Sequence, residues 1–291
     1  MSTFVKSHNR FPAVAGQLYP EKPDVLNREI EKMFQKAAAP YLKDVQAIIT
    51  PHANILLSGR VAASAFNQIA TSCTFERVFV LGTSHHEAFN GASVFCEGDF
   101  VMPGGTVEVD SYYGRQLTQR YPELFTASRS PYLHDHSIEM QLPFLHKTLG
   151  ASFKLIPILL GTDQPEQCRK IAAILKDELL SGQLFVISSD FSHFLSSDDA
   201  RRVDAETEAA ILTNDPDQLL KVLKQHREAN IAGWQSSLCG WSAVLTLLYM
   251  TYGEEQYRYR AVDNSNSGDV AYYGDPNQVV GYRSIALTKS T

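Results

Sequence analysis

Short apolar runs rich in β-branched residues recur along the chain and predict buried strands. The four clearest runs are Asp44–Thr50, Arg77–Gly82, Phe153–Leu160 and Leu184–Ser188. Nearly continuous apolar runs of this length are typical of strands in a sheet covered on both faces. Two later runs, Tyr257–Val262 and Val280–Leu287, have no helical pattern between them and predict an antiparallel hairpin at one edge of the sheet.

Helical patterns of apolar residues separate these strands. They cover Arg60–Ile69, Ser137–Leu149, Pro165–Leu180 and Ala200–Leu212. The alternation predicts an α/β fold with a mostly parallel or mixed central sheet flanked by helices. No repeat, low-complexity segment or linker interrupts the pattern, and loop-like stretches such as Asp263–Gly268 are short. We therefore expect residues 1–291 to form a single domain.

Composition narrows the class of protein. The 291 residues are 44% hydrophobic and 20% charged, as in ordinary globular proteins. The formal net charge of −6 argues against a nucleic-acid partner, which calls for clustered cations. The first 20 residues lack a signal-peptide core, and apolar runs such as Ala243–Met250 are far shorter than a membrane span, so we expect a cytoplasmic protein without membrane contact.

Polar residues follow three of the predicted strands at their carboxyl ends. His52 follows the first strand, His85 follows the second, and Asp190 and His193 follow the strand ending at Ser188. Ligands of open α/β sheets bind outside these ends. Imidazole is a common ligand of iron, copper and zinc, whereas any one histidine can instead serve only as a structural hydrogen-bonding group.

Neighbouring histidines restrict the candidates further. His85 and His86 would face opposite sides if they continued a strand, so only one is expected to enter the cleft. His136 and Glu139 lie three residues apart at the start of a predicted helix. They can form an acid/base pair beside the cleft, or they can have no role beyond beginning the helix. The sequence leaves both interpretations open.

Asp190 and Cys239 also have two interpretations each. A carboxylate at the end of a buried strand needs a partner, which favours a site role for Asp190 over a helix cap. Cys239 precedes the apolar helical run Trp241–Tyr252, a setting that favours a thiolate, although free cysteine is often just a small buried residue. The other cysteines have no comparable setting and are interpreted as structural: Cys73, Cys96 and Cys168.

A serine hydrolase is a further alternative, because Ser84, Ser189 and Ser192 lie near histidines and an aspartate. The segment Gly82–His86 lacks the second glycine of a nucleophile elbow. Glycine-rich phosphate-binding loops are absent as well. We rank this alternative last.

Six segments, taken in order, resemble the Memo family, known in prokaryotes as AmmeMemoRadiSam system protein B. They are Ala15–Pro20, Thr50–Ala53, Leu81–His86, Asp135–Pro143, Val186–His193 and Leu238–Gly240. The resemblance runs nearly end to end. It implies a fold similar to that of class III extradiol dioxygenases.

The resemblance also implies a mononuclear, non-haem metal site held by His52, His85 and Cys239. Iron is favoured, with copper and zinc as alternatives. By the same resemblance, a second set of residues would line the cleft and move protons: His136, Glu139, Asp190 and His193.

Two classes of function follow from the resemblance. One is an iron-dependent oxidoreductase or dioxygenase-like enzyme acting on an unknown small molecule. The cysteine stands in place of the carboxylate ligand of the dioxygenases, which argues against ring cleavage by this chain. The other is a non-catalytic metal- or peptide-binding protein that works with radical-SAM and AMMECR-type partners. Whether the chain is an enzyme stays open at this point.

Overall fold

A mixed β-sheet forms the centre of the computed structural model, which describes residues 8–69, 75–180, 183–270 and 275–290. The strands of the described residues are β1 (Val45–Thr50), β2 (Arg77–Thr83), β3 (Ala92–Val94), β4 (Phe100–Met102), β5 (Gly105–Val107), β6 (Phe125–Thr126), β7 (Lys154–Leu160), β8 (Leu184–Ser188), β9 (His193–Leu195), β10 (Tyr257–Asn266) and β11 (Val279–Lys289). The helices are α1 (Pro23–Lys36), α2 (Ile55–Phe66), α3 (Ser111–Arg120), α4 (Leu142–Leu149), α5 (Pro165–Leu180), α6 (Ser197–Leu212), α7 (Pro216–Glu228) and α8 (Trp241–Thr251).

The strand order in the main sheet is β10-β11-β1-β8-β2-β7-β3-β6. The four central strands β1, β8, β2 and β7 are parallel to one another, whereas β11 is antiparallel to β1 and to β10, and β3 is antiparallel to β7. Strand β9 pairs with β11, and β4 and β5 form a separate two-stranded sheet. The predicted mixed α/β sheet and the antiparallel pair at one edge are therefore confirmed.

Apolar side chains on both faces of the central strands explain why helices cover both faces of the sheet. On one face Phe79 of β2 stacks on Phe185 of β8 with ring centroids 4.6 Å apart, under α5 and α8. On the other face Phe66 of α2 stacks on Phe144 of α4 at 5.5 Å. Successive strand residues point to opposite faces, so an apolar run supplies both cores.

Helix boundaries differ from the predictions because capping side chains decide them. Helix α2 begins at Ile55, five residues before the predicted start, because the side chain of Asn54 accepts a hydrogen bond from the Leu56 amide (2.9 Å). Helix α6 begins at Ser197, where Ser196 caps it in the same way. The predicted helix Ser137–Leu149 is instead a short 3-10 turn over Glu139–Gln141 followed by α4.

Strand β10 is longer than the sequence indicated. The predicted loop Asp263–Gly268 is wrong for its first four residues, because β10 pairs with β11 as far as Asn266 opposite Gly281. The pairing is irregular between Ala261 and Asp263, which interrupts the alternation that the sequence pattern would show.

Within the described ranges, each helix is too short or too polar to cross a bilayer. Helix α8 is the most apolar stretch noted from the sequence, and its 11 residues fall well below that length. Its apolar character reflects burial between α5 and the sheet.

Candidate metal centre

The carboxyl ends of three adjacent parallel strands bring the candidate ligands together. His52 lies two residues after β1, His85 two residues after β2, and Asp190 two residues after β8, which runs between them. The Cys239 amide donates to the Asp190 carbonyl (3.1 Å) and so fixes the turn before α8 beside the end of β8. The expected convergence at this edge of the sheet is present.

Two imidazoles and one sulfur form a compact group at this edge. Nε2 of His52 lies 3.4 Å from Sγ of Cys239, and one ligand atom each from His52, His85 and Cys239 lies within 4.8 Å of the other two. Asp190, His193 and Cys239 satisfy the same spacing and share the sulfur. His52 is buried, Cys239 is half-buried, and the His85 side chain is 27% exposed, so the group opens to solvent on one side.

Ser188 determines which nitrogen of His52 faces the sulfur. Its hydroxyl donates to the Ser137 carbonyl (2.6 Å), which can only accept, and lies 2.9 Å from His52 Nδ1. The hydroxyl has one proton, which it donates to the Ser137 carbonyl. It must therefore accept a hydrogen bond from His52 Nδ1–H. The amide nitrogen of Gln141 donates to the same hydroxyl (2.8 Å). Nε2 is therefore the ring nitrogen directed at Cys239.

Asp135 orients His85 in the same way. One carboxylate oxygen lies 3.1 Å from His85 Nδ1 and accepts from the His85 amide (3.0 Å), while the other accepts from the amide and hydroxyl of Ser137. Burial alone would lower the pKa of His85, but Asp135 and the sulfur of Cys239 raise it to about 10. Burial would likewise raise the pKa of Asp135, and the bond to His85 instead holds it well below its usual range.

The sulfur of Cys239 is stabilised as a thiolate. Burial by itself raises a thiol pKa, but His52 and His85 lower that of Cys239 to about 5. The sulfur also accepts from the Asp190 amide (3.2 Å). Conversely, burial alone would lower the pKa of His52, and the sulfur raises it above its ordinary value. Two imidazoles and a backbone N–H thus converge on one anionic sulfur.

Asp190 and His193 lie at the same edge and differ in what they contact. One Asp190 oxygen accepts from the His52 amide (2.9 Å), and the other lies 4.0 Å from His52 Nε2. His193 Nδ1 lies 2.9 Å from the Phe191 carbonyl, which can only accept, so this nitrogen carries the proton and Nε2 is the free acceptor. Asp190 therefore holds the His52 backbone, and one ring nitrogen of His193 lies within 4.8 Å of the sulfur.

The structure separates His136 from Glu139. The His136 ring lies 5.6 Å from that of His52 and 5.7 Å from that of His85, centroid to centroid. Burial and the neighbouring His52 lower its pKa to about 4, which keeps it neutral near pH 7. His136 and Glu139 do not form an acid/base pair, because the Glu139 carboxylate is bound by Arg10 and Tyr19, away from these rings.

Glu139 contacts the N-terminal segment instead of the cleft. Its buried carboxylate pairs with Arg10 and accepts from the Tyr19 hydroxyl (2.6 Å) and the Ala13 and Val14 amides (2.8 and 3.2 Å). Sequence spacing gave no sign of these partners, which lie more than 100 residues away.

The remaining histidine and cysteine candidates lie elsewhere. His86 is exposed, and its ring packs near that of His134 (6.2 Å). Alternation along a strand predicted that only one of the pair enters the cleft. His85 alone of the two lies in the group, but β2 ends at Thr83, so strand alternation is not the reason. Cys96 and Cys168 are buried, which raises their thiol pKa values, and Cys73 lies outside the described residues.

The three serines of the hydrolase alternative have other contacts. Ser189 donates to the Asp190 carbonyl (2.7 Å), Ser84 accepts from the Glu87 amide (3.3 Å), and the Ser192 amide donates to Asp204 (2.9 Å). In the part of the chain described, none of them forms a hydrogen bond to a histidine side chain. Sequence reasoning missed Ser188 and Asp135, although both lie inside the segments that carried the resemblance.

Comparison with known proteins identifies relatives that match most of the chain. The sequence profile of the Memo-like protein family matches residues 10–286. A MEMO1 family protein of Thermoplasma acidophilum is 34% identical over 95% of this chain and 97% of its own length. One from Archaeoglobus fulgidus is 32% identical over 96% and 99%. The crystal structure of an uncharacterized Escherichia coli K12 protein has a similar fold, with a TM-score of 0.53, 13% identity, and coverage of 83% of this chain and 99% of that one.

Proposed function

The chain belongs to the Memo-like protein family, and from this premise we propose that it binds one metal ion through His52 Nε2, His85 Nε2 and Cys239 Sγ. The observation that carries the proposal is the orientation of both rings. Each is held at Nδ1 by its own acceptor, Ser188 or Asp135, so that Nε2 is left for a ligand beside the sulfur. In metal-binding histidines, the ring nitrogen that does not bind the metal typically donates to an acceptor in this manner.

The donor set fits a transition metal. Neutral imidazole and thiolate suit iron, copper and zinc, and three protein ligands leave positions for an exogenous ligand. In the absence of an ion, the sulfur of Cys239 and His52 Nε2 stabilise each other through a shared proton, which a cation would displace. We favour iron, with copper as the alternative. Such an ion would supply redox chemistry, of the oxygenase-like kind, on a small molecule.

The surrounding side chains would hold and move protons for that chemistry. His136 is neutral at pH 7 and faces both ligand rings, so it can accept a hydrogen bond from a bound molecule. His193 presents Nε2 as a second acceptor, since Phe191 occupies Nδ1. Asp190 orients His52 through its backbone amide.

Metal analysis of protein purified without oxygen tests the proposal. We expect one ion per chain, lost in Cys239→Ala, His52→Ala and His85→Ala and retained in His86→Ala, whose ring lies outside the group. Full occupancy in the Cys239→Ala protein would contradict it. Oxygen consumption with and without catechols then separates the two classes of function, because a loaded protein without turnover would belong to the binding class.

A further inference from the structure

A chain of hydrogen bonds outside the metal centre links four side chains from α6, α7 and the segment before α8. Trp234 Nε1 lies 2.9 Å from Ser237 Oγ, which lies 3.0 Å from His226 Nδ1. His226 Nε2 lies 2.8 Å from a carboxylate oxygen of Glu206. Ser237 and His226 are buried, at 2% and 3% exposure, whereas the Glu206 side chain is 48% exposed.

For a neutral His226 ring, one set of bond directions fits this chain. The indole N–H of Trp234 can only donate, and the carboxylate of Glu206 can only accept, because its bond with His226 lowers its pKa and keeps it ionised. His226 Nε2 therefore carries the proton, and Nδ1 accepts from the Ser237 hydroxyl. This is the polarity of a nucleophile, base and orienting acid.

Ser237 lines a cavity of about 640 Å³. Both tryptophans of the chain, Trp234 and Trp241, line it as well, together with Arg227 and Lys224. The cavity has the volume usual for small-molecule sites. Arg227 has no ion-pair or hydrogen-bond partner among the described side chains, so its guanidinium is available to a ligand.

We propose that Ser237, His226 and Glu206 form a catalytic site, separate from the metal centre, that hydrolyses small carboxylic esters. Ser237 Oγ would attack the carbonyl carbon while its proton passes to His226 Nδ1, and that proton would then leave with the alcohol. Water would attack the resulting acyl-serine, release the acid and restore the serine. Glu206 holds the His226 ring throughout.

The site differs from the usual serine hydrolase in the orientation of the ring. Here Nδ1 faces the serine and Nε2 faces the acid, and either nitrogen of imidazole can accept the proton. The cavity walls indicate the substrate class. Indole faces favour a planar leaving group, and Arg227 and Lys224 favour an acyl chain that ends in an anion.

Hydrolysis of two matched esters by the purified protein tests this proposal, and equal activity in its Cys239→Ala variant separates it from the metal centre and the thiolate there. The probes are p-nitrophenyl butyrate, which is neutral, and p-nitrophenyl hemisuccinate, which is anionic. Ser237→Ala is expected to abolish hydrolysis, and Glu206→Gln to lower it by about 10²-fold. Ser152→Ala, an exposed serine that bonds only to the Leu149 carbonyl, is the control. Arg227→Gln should raise KM for the anionic ester alone.

Covalent labelling distinguishes catalysis from a purely structural network. A fluorophosphonate should add once to the wild-type chain, and peptide mass analysis should place the adduct on Ser237. Esterase activity that survives in Ser237→Ala, or an adduct on another residue, would overturn the proposal. So would a folded wild-type protein that neither turns over nor reacts, because the network would then only tie α6 and α7 to the segment before α8.

Discussion

At the scale of single residues, the proposed centre depends on two acceptors that could not be selected from sequence patterns. Ser188 accepts from His52 and Asp135 from His85, and each leaves Nε2 facing Cys239. A ligand histidine whose second nitrogen loses its partner loses both its orientation and part of its basicity. Ser188 and Asp135 are therefore expected to affect metal binding as well as folding.

Ser188→Ala should lower metal affinity by about 10- to 100-fold without removing a ligand. The reason is that His52 Nδ1 loses its acceptor and the ring can turn. Competition with a chelator of known affinity measures the change. Ser93→Ala is the matched control, because Ser93 is an equally buried strand serine that donates to the Ser128 carbonyl. Equal affinities in the two variants would contradict the orienting role.

Alkylation of Cys239 in metal-free protein should follow a titration centred near pH 5. The two imidazoles lower the pKa of this thiol to about 5, so the reactive thiolate is present above that pH and disappears as the pH falls through it. Iodoacetamide incorporation at this cysteine, followed by mass spectrometry, gives the profile. Cys168, with a pKa raised by burial to about 11, serves as the unreactive control. A midpoint near 8.5 would show an ordinary thiol.

At the scale of elements, the apolar runs predicted the central strands to within a residue, because strands buried on both faces leave little freedom in composition. Helix starts were less predictable. Asn54 and Ser196 set them through single hydrogen bonds, which the pattern of apolar residues does not reveal. The close approach of α8 to β8 was likewise invisible in the sequence, since it depends on one glycine.

Gly240→Ala should destabilise the fold by about 1–3 kcal/mol and reduce metal occupancy. A Cβ at Gly240 would lie 2.6 Å from the Ser189 Cβ and 2.7 Å from the Ser188 carbonyl, so the start of α8 would shift and carry Cys239 with it. Urea denaturation and metal analysis measure the two effects. Gly105→Ala, where an added Cβ meets nothing within 4 Å, is the control. Unchanged occupancy would show that α8 does not position the sulfur.

At the scale of the whole molecule, a buried ion pair joins the N-terminal segment to the region that holds His85. Arg10 pairs with Glu139 and donates to the carbonyls of Tyr132 (3.1 Å) and Asp135 (2.6 Å). The strand ends could be predicted to converge because they share one edge of the sheet. Arg10 could not be predicted as the partner of Glu139, because the two residues lie 129 positions apart in the sequence.

Glu139→Gln should cost about 3–5 kcal/mol of stability, since it leaves the Arg10 charge buried without its partner. Glu31→Gln, which removes an exposed partner of Lys147, should cost less than about 1 kcal/mol. Denaturant unfolding of both variants provides the comparison. Similar losses of stability in the two variants would contradict the burial of the Arg10–Glu139 pair.

X-ray absorption at the metal edge of the purified protein addresses the coordination directly. We expect one sulfur and two imidazole nitrogens around a single ion, with the sulfur contribution lost in Cys239→Ser. An ion surrounded only by oxygen and nitrogen in the wild-type protein, or a sulfur contribution that persists in the Cys239→Ser variant, would contradict it.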